Sequence, residues 1–296
     1  MQFLRVSFLL WLLACVSVQA QVVETPELVP AYAKVPVGVG GFFNSTIEMT
    51  AEVFKPEGRE PFPVVVYSHG RSSTARERAD IKEVIPRDYL RFWLAHGFAV
   101  VAPLRPGYGK TGGPDREIPG HAWSSNGTCT GTPDYRKVMN IAAPTVLATI
   151  AWLKKQAWAN TSSIVLTGNS VGGLLTVATA SQNPTGVIGF INFAGGIGGN
   201  PALSPGRNCD PDQLRDMFAE YGKTAKLPSL WMYAENDQFW GPETPKGWHA
   251  AFAKGGSATQ LFSTGPLAEK DGHELLFVGK DLWLAPVTAF LKQLGY

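Results

Sequence analysis

The segment Gly168-Asn169-Ser170-Val171-Gly172 sets a serine between glycines, after the apolar stretch Ile164–Thr167 and before a run of small residues. A sharp turn from strand to helix at this point would strain the serine backbone and expose its hydroxyl at the strand end. With 32 glycines in the chain, the string alone is an ordinary turn, and only partners give it chemistry. A serine hydroxyl is a weak nucleophile that needs a base, and the base needs an orienting acid. The expected chain order on a strand-turn-helix of this kind is serine, acid, histidine. His69, His96 and His121 precede the serine, and His249 falls in the helical stretch Trp248–Phe252. His273, in Lys270-Asp271-Gly272-His273-Glu274, fits by order and by place between the last strand and the final helix. The acid should follow Leu230–Tyr233, where Glu235 and Asp237 compete. Asp237 is preferred because a longer reach of loop lets its carboxylate turn toward the imidazole.

The elements that must position these groups alternate. Residues 21–36 read as an extended lead-in and Ile47–Phe54 as an antiparallel strand. Pro63–Tyr67 and Phe98–Ala102 are short unbroken apolar runs, the pattern of parallel strands covered on both faces. Asp80–His96 has helical spacing, stops at Gly97 and carries Pro86 as a kink or restart. A helix is expected from Asp134 to Gln156, then strand Ser163–Thr167, helix Ser170–Ser181 and strand Val187–Phe193. Leu230–Tyr233, Trp248–Lys254, Gln260–Ser263 and Asp281–Leu294 continue strand, helix, strand, helix. The class is α/β: one domain, residues 21–296, with a mostly parallel sheet and helices on both faces. Chemistry is then expected at the carboxyl ends of the strands.

The elbow Gly168–Gly173, His69-Gly70 after a core strand, Asp237 after a later strand and His273 before the last helix together resemble the α/β-hydrolase superfamily. Within it the chain is similar to the dienelactone-hydrolase-like and platelet-activating-factor-acetylhydrolase-like branch, over roughly residues 45–294. The resemblance implies an α/β-hydrolase fold with a loop-built lid and a Ser170–Asp237–His273 triad acting through an acyl-enzyme. It also implies an oxyanion hole from the backbone N–H groups of Val171 and Arg71. No cofactor and no metal are expected, and the partner is a small-molecule ester. Dienelactone hydrolases use a cysteine nucleophile, so Ser170 favours general ester hydrolysis over their lactones. A serine peptidase, an acyltransferase and a non-catalytic binding protein on the same scaffold are the alternatives. The roughly 25 mature residues before the first strand favour small esters over peptides.

Composition bounds these readings. Hydrophobic residues make up 45% and charged residues 17% of the 296, which excludes a disordered chain. A net charge of +2 leaves no broad basic footprint for nucleic acid. Arg5, the apolar run Val6–Val16 and Val18-Gln19-Ala20 read as a signal peptide over residues 1–20, cleaved after Ala20. The run is short for a membrane span, so a secreted or periplasmic protein without stable membrane insertion is expected. A lipoprotein box ending at Cys15 is the minor alternative. Cys129 and Cys209 then remain as an even pair in an oxidising compartment and are expected to form a disulfide. The loops Leu104–Tyr135 and Ala194–Glu220, one cysteine in each, should overhang Ser170, so the bond would staple the lid. Tyr108, Trp123, Phe239 and Trp240 either line a pocket there or pack the loops down. Gly107-Tyr108-Gly109-Lys110-Thr111-Gly112 matches a dinucleotide pattern, but Gly113-Pro114 follows instead of a helix, so turn glycines are the better account. Asn44, Asn126 and Asn160 head glycosylation sequons.

Overall fold

The computed structural model of the chain describes residues 28–39, 45–81 and 83–296. The expected signal peptide, its cleavage point after Ala20, Cys15 and the Asn44 sequon lie outside these residues. The strands in chain order are β1 (Ala31–Val39), β2 (Ser45–Phe54), β3 (Phe62–Ser68), β4 (Ala99–Pro103), β5 (Ala122–Trp123), β6 (Cys129–Thr130), β7 (Ala159–Asn169), β8 (Val187–Phe193), β9 (Gly199–Asn200), β10 (Ser204–Asn208), β11 (Ser229–Ala234) and β12 (Thr259–Thr264). The α-helices are α1 (Ala75–Ala79), α2 (Arg87–Ala95), α3 (Tyr135–Leu153), α4 (Val171–Ala180), α5 (Pro211–Thr224), α6 (Thr244–Ala253), α7 (Leu275–Val278) and α8 (Lys280–Gln293).

Eight strands form one sheet in the order β1-β2-β4-β3-β7-β8-β11-β12. β1 and β2 pair antiparallel, β2 joins β4 antiparallel, and every pair from β4 to β12 is parallel. The unbroken apolarity of β3 has its cause in the two cores. Val64 and Val66 pack with residues of α3 and α4 on one face, while Val65 and Tyr67 pack with α2 and α8 on the other. Alternation to the two faces therefore demands an apolar residue at each position from Val64 to Tyr67.

Three sequence expectations need correction. The lead-in includes a true strand, β1, whose Val35 and Val37 are buried while Lys34 and Pro36 face outward. Pro36 is tolerated because β1 is an edge of the sheet. The helix expected over Asp80–His96 begins only at Arg87, with Pro86 as its N-cap residue, and a separate helix, α1, precedes it. Proline removes an N–H and disfavours helix in the residue before it, so the pattern restarts there. The loop expected over Ala194–Glu220 holds most of α5, where Asp210 caps the Gln213 N–H and Pro211 opens the helix. The signal was present: Asp-Pro followed by Leu214, Met217, Phe218 and Tyr221 at helical spacing.

Cys129 and Cys209 are bonded, with Cα atoms 5.3 Å apart. The bond ties the β5–β6 hairpin to the segment just ahead of α5 across 80 residues of chain. Chain entropy makes that worth at most about 4–5 kcal/mol. No α-helix among the described residues is long and apolar enough to cross a membrane.

Candidate active site

β7 ends at Asn169 and α4 begins at Val171, so the whole turn is a single residue. That residue, Ser170, takes φ 57° and ψ −124°, a left-handed conformation that costs a non-glycine residue about 1–3 kcal/mol. The surroundings hold it there: the Ser170 N–H donates to the Phe193 carbonyl at 3.0 Å, and the Ser170 carbonyl accepts from Leu174 N at 3.1 Å and Gly196 N at 3.2 Å. Gly172 is required because a Cβ there would fall on the carbonyl oxygens of Ser68 and His69. The end of β3 thus passes directly against the elbow, bringing His69-Gly70 beside Ser170.

Asp237 follows β11 and is almost fully buried, at 1% exposure. Its Oδ1 accepts from Phe239 N at 2.8 Å and Trp240 N at 3.1 Å, and its Oδ2 bonds His273 Nδ1 at 3.0 Å. Glu235, the competing acid, is exposed, and among the described contacts the His273 ring meets Asp237 instead. Phe239 stacks on the imidazole at 4.0 Å between ring centres, and Trp240 meets its edge at 5.5 Å.

Two supporting residues were not singled out in the sequence. Asn236 donates to the carbonyls of Leu267 and Lys270 and accepts from Leu267 N, while Asp271 Oδ1 accepts from both His273 N and Gln238 N. Together they fasten the loop carrying the acid to the loop carrying the histidine. The available signal was an Asp two residues before His273 and an Asn just before Asp237, since both types bond nearby backbone in loops.

Ser170 and His273 line one cavity of about 300 Å³ together with Gly70, Arg71, Asn169 and Phe239. An adjoining groove of about 990 Å³ shares Arg71, Ser170 and Phe239 and adds Val171, His121, Trp123 and Trp240. Both residues expected to offer oxyanion amides therefore border the space over Ser170. Val171 is the first residue of α4, where an N–H has no intrahelical carbonyl to meet. Of the four loop aromatics, Trp123 and Trp240 donate their indole N–H groups to Gly198 and Ala194 carbonyls, so they anchor the groove while lining it. Tyr108 is buried, donates to Glu117 and also borders the smaller cavity. Gly107–Gly112 contains a short 3-10 turn, Gly109–Thr111, and no α-helix follows it directly. Among the described residues, no group of three or more His, Cys, Asp and Glu side chains could hold a metal ion.

His69 lies in the cavity wall and is buried. Burial first, and the Arg105 cation second, push its ring well below the ordinary value of 6.5, against the opposing bond to the Gly70 carbonyl. The folded protein keeps this ring neutral where the unfolded chain would take up a proton. Below pH 6.5 the unfolded state binds more protons, so stability falls as pH drops, by up to about 1.4 kcal/mol per pH unit for this group. Urea midpoints measured from pH 7.5 to 5 should decline, and His69→Gln should flatten that slope. An equal slope in the variant would assign the acid sensitivity to other groups.

Solved structures share this arrangement of chain. An esterase of Pyrococcus furiosus, Pf2001, superposes with a TM-score of 0.61 at 16% identity, covering 91% of this chain and 92% of that one. A Klebsiella pneumoniae structure carrying the name dienelactone hydrolase gives 0.57 at 15% identity, over 88% and 98%. The acylaminoacyl peptidase of Pyrococcus horikoshii gives 0.57 at 12% identity, over 91% of this chain but 42% of that one. No curated protein matches the sequence. The model of the alpha/beta hydrolase family matches residues 65–294, from within β3 through α8, and so takes in the elbow, the buried acid and the imidazole it holds. With the sheet order, the one-residue turn at Ser170 and that match in agreement, the chain belongs to the alpha/beta hydrolase family.

Proposed function

We propose that the protein is a serine hydrolase that cleaves a small carboxylic ester through an acyl-enzyme, with Ser170, His273 and Asp237 as its catalytic triad. One observation carries the reading: the His273 imidazole, bonded through Nδ1 to buried Asp237 at 3.0 Å, lines the same cavity as the strained Ser170. An Nδ1–H bonded to a carboxylate leaves Nε2 as a base for the serine hydroxyl. Ser170 Oγ attacks the acyl carbon while Nε2 takes its proton. The charge developing on the carbonyl oxygen is met by the Val171 and Arg71 amides. Collapse expels the alcohol, which receives the proton from Nε2, and water repeats the sequence to release the acid. Asp237 fixes the tautomer and stabilises the imidazolium.

A cavity of about 300 Å³ beside Ser170 suits a short acyl group. Among p-nitrophenyl acetate, butyrate and octanoate and an acyl-peptide anilide, kcat/KM is expected to be highest for acetate or butyrate. An optimum at octanoate or the anilide would replace the small-ester reading with a lipid or peptide one. The expected destination is the periplasm or the exterior, a reading supported by the Cys129–Cys209 bond, which persists in oxidising compartments.

A further inference from the structure

Arg105 is a charged side chain with 1% exposure, one residue beyond the Leu104 that follows β4. Its Nε and Nη2 grip the Glu117 carboxylate at 2.5 and 3.1 Å, and Tyr108 donates to the same carboxylate at 3.1 Å. The remaining donors are turned on one backbone segment. Nη1 donates to the His69 carbonyl at 2.6 Å and Nη2 to the Gly70 carbonyl at 3.1 Å. The Arg105 N–H also donates to His69 Nε2 at 3.2 Å, while His69 Nδ1 bonds the Gly70 carbonyl at 2.7 Å. Arg78 Nη1 donates to two further carbonyls of the segment, those of Ser72 at 3.2 Å and Ser73 at 2.8 Å.

The stereochemistry of the peptide unit gives these contacts a consequence. In a trans peptide the N–H of one residue points opposite to the C=O of the residue before it. The guanidinium that draws the Gly70 carbonyl inward therefore turns the Arg71 N–H away from itself. Gly70 lies against the elbow, a Cβ at its position falling 3.4 Å from Ser170 Cβ. A buried ion pair gives little net stability over apolar residues of equal volume. What a guanidinium does provide is a rigid fork with fixed donor directions, which a lysine lacks.

We propose that Arg105, held in place by Glu117, is a positioning residue that aims the Arg71 amide at the oxyanion formed over Ser170. The inference rests on the reading of Ser170 as nucleophile and of that amide as an oxyanion donor. Arg105 contributes nothing to substrate binding itself, so its loss acts on kcat and spares KM.

The test compares wild type, Arg105→Lys and the charge-free pair Arg105→Met/Glu117→Gln with p-nitrophenyl butyrate and a trifluoromethyl ketone, which Ser170 would convert to a tetrahedral oxyanion. Losing an oxyanion donor outright costs about a hundredfold to a thousandfold, and a misaimed one less. Both variants are expected to lose about 10- to 100-fold in kcat with KM within threefold. The ketone inhibition constant should rise by the factor by which kcat/KM falls. Unchanged kcat with a lowered melting temperature, or a loss confined to KM, would overturn the proposal. If the double variant does not fold, Arg105→Lys, which keeps charge and bulk, decides by the same ratios. Ser170→Ala in the same assay separates the two levels. Activity that survives it sinks the serine reading, whereas activity that it abolishes, beside Arg105 variants equal to wild type, sinks the positioning role alone.

Discussion

Ser170→Ala is expected to lower kcat on p-nitrophenyl acetate by about 10⁶-fold, equivalent to about 8 kcal/mol of barrier. The size follows from what remains. On the proposed mechanism, loss of Oγ removes the acyl-enzyme and the hydroxyl that His273 would deprotonate, while the amides and the cavity proposed to hold the ester would remain. That remnant sustains roughly 10³–10⁴-fold over water in enzymes of this mechanism. A fluorophosphonate probe should label the wild type and leave the variant unmarked. Stability is expected to move little, since alanine at φ 57° carries the same strain as serine. Ser170→Gly, equally inactive, should gain about 1 kcal/mol in urea unfolding because glycine occupies that region freely. More than one per cent of activity retained in Ser170→Ala would end the nucleophile assignment.

The parts that the sequence made legible are those governed by short-range rules. The cores of β3 and β4 are unbroken apolar runs, β8 is apolar apart from Gly189 and Asn192, and the structure places all three within about a residue of expectation. The elbow was legible because a one-residue turn between strand and helix demands glycines on both flanks. Asp237 was separable from Glu235 by reach alone, and the structure brings Asp237 to His273. What escaped depends on contacts distant in sequence. β1 looks like lead-in because its half-buried pattern has meaning only once β2 lies beside it. The segment Ala194–Glu220 opens with glycines at 195, 196, 198 and 199, which favour loop, and its helix α5 declares itself only at the Asp210-Pro211 start. Arg105 and Glu117 could not be paired from the sequence, as nothing in twelve residues of Gly- and Pro-rich chain says that it folds back on itself. Asn236 and Asp271 belong to the same class: their role is to join two loops that only the sheet order makes neighbours.

Asp237→Asn should lower kcat by about 10⁴-fold with KM nearly unchanged, and the reason lies in which way the new amide must face. Oδ1 of Asp237 accepts from two backbone N–H groups, those of Phe239 and Trp240. An asparagine at this buried position keeps both bonds only by placing its carbonyl oxygen there, because turning the NH₂ to them would leave two donors buried and opposed. Its NH₂ then faces His273 Nδ1, which must become an acceptor, and the ring proton moves to Nε2. An imidazole in that tautomer cannot take a proton from Ser170, so the proposed nucleophile would be present but not activated. Fluorophosphonate labelling should slow in step with kcat, because it needs the same base. Glu235→Gln, an exposed change on the same loop, should leave kcat within twofold. The opposite pattern, with Asp237→Asn near wild type and Glu235→Gln crippled, would transfer the acid to Glu235 and require the histidine loop to move toward it.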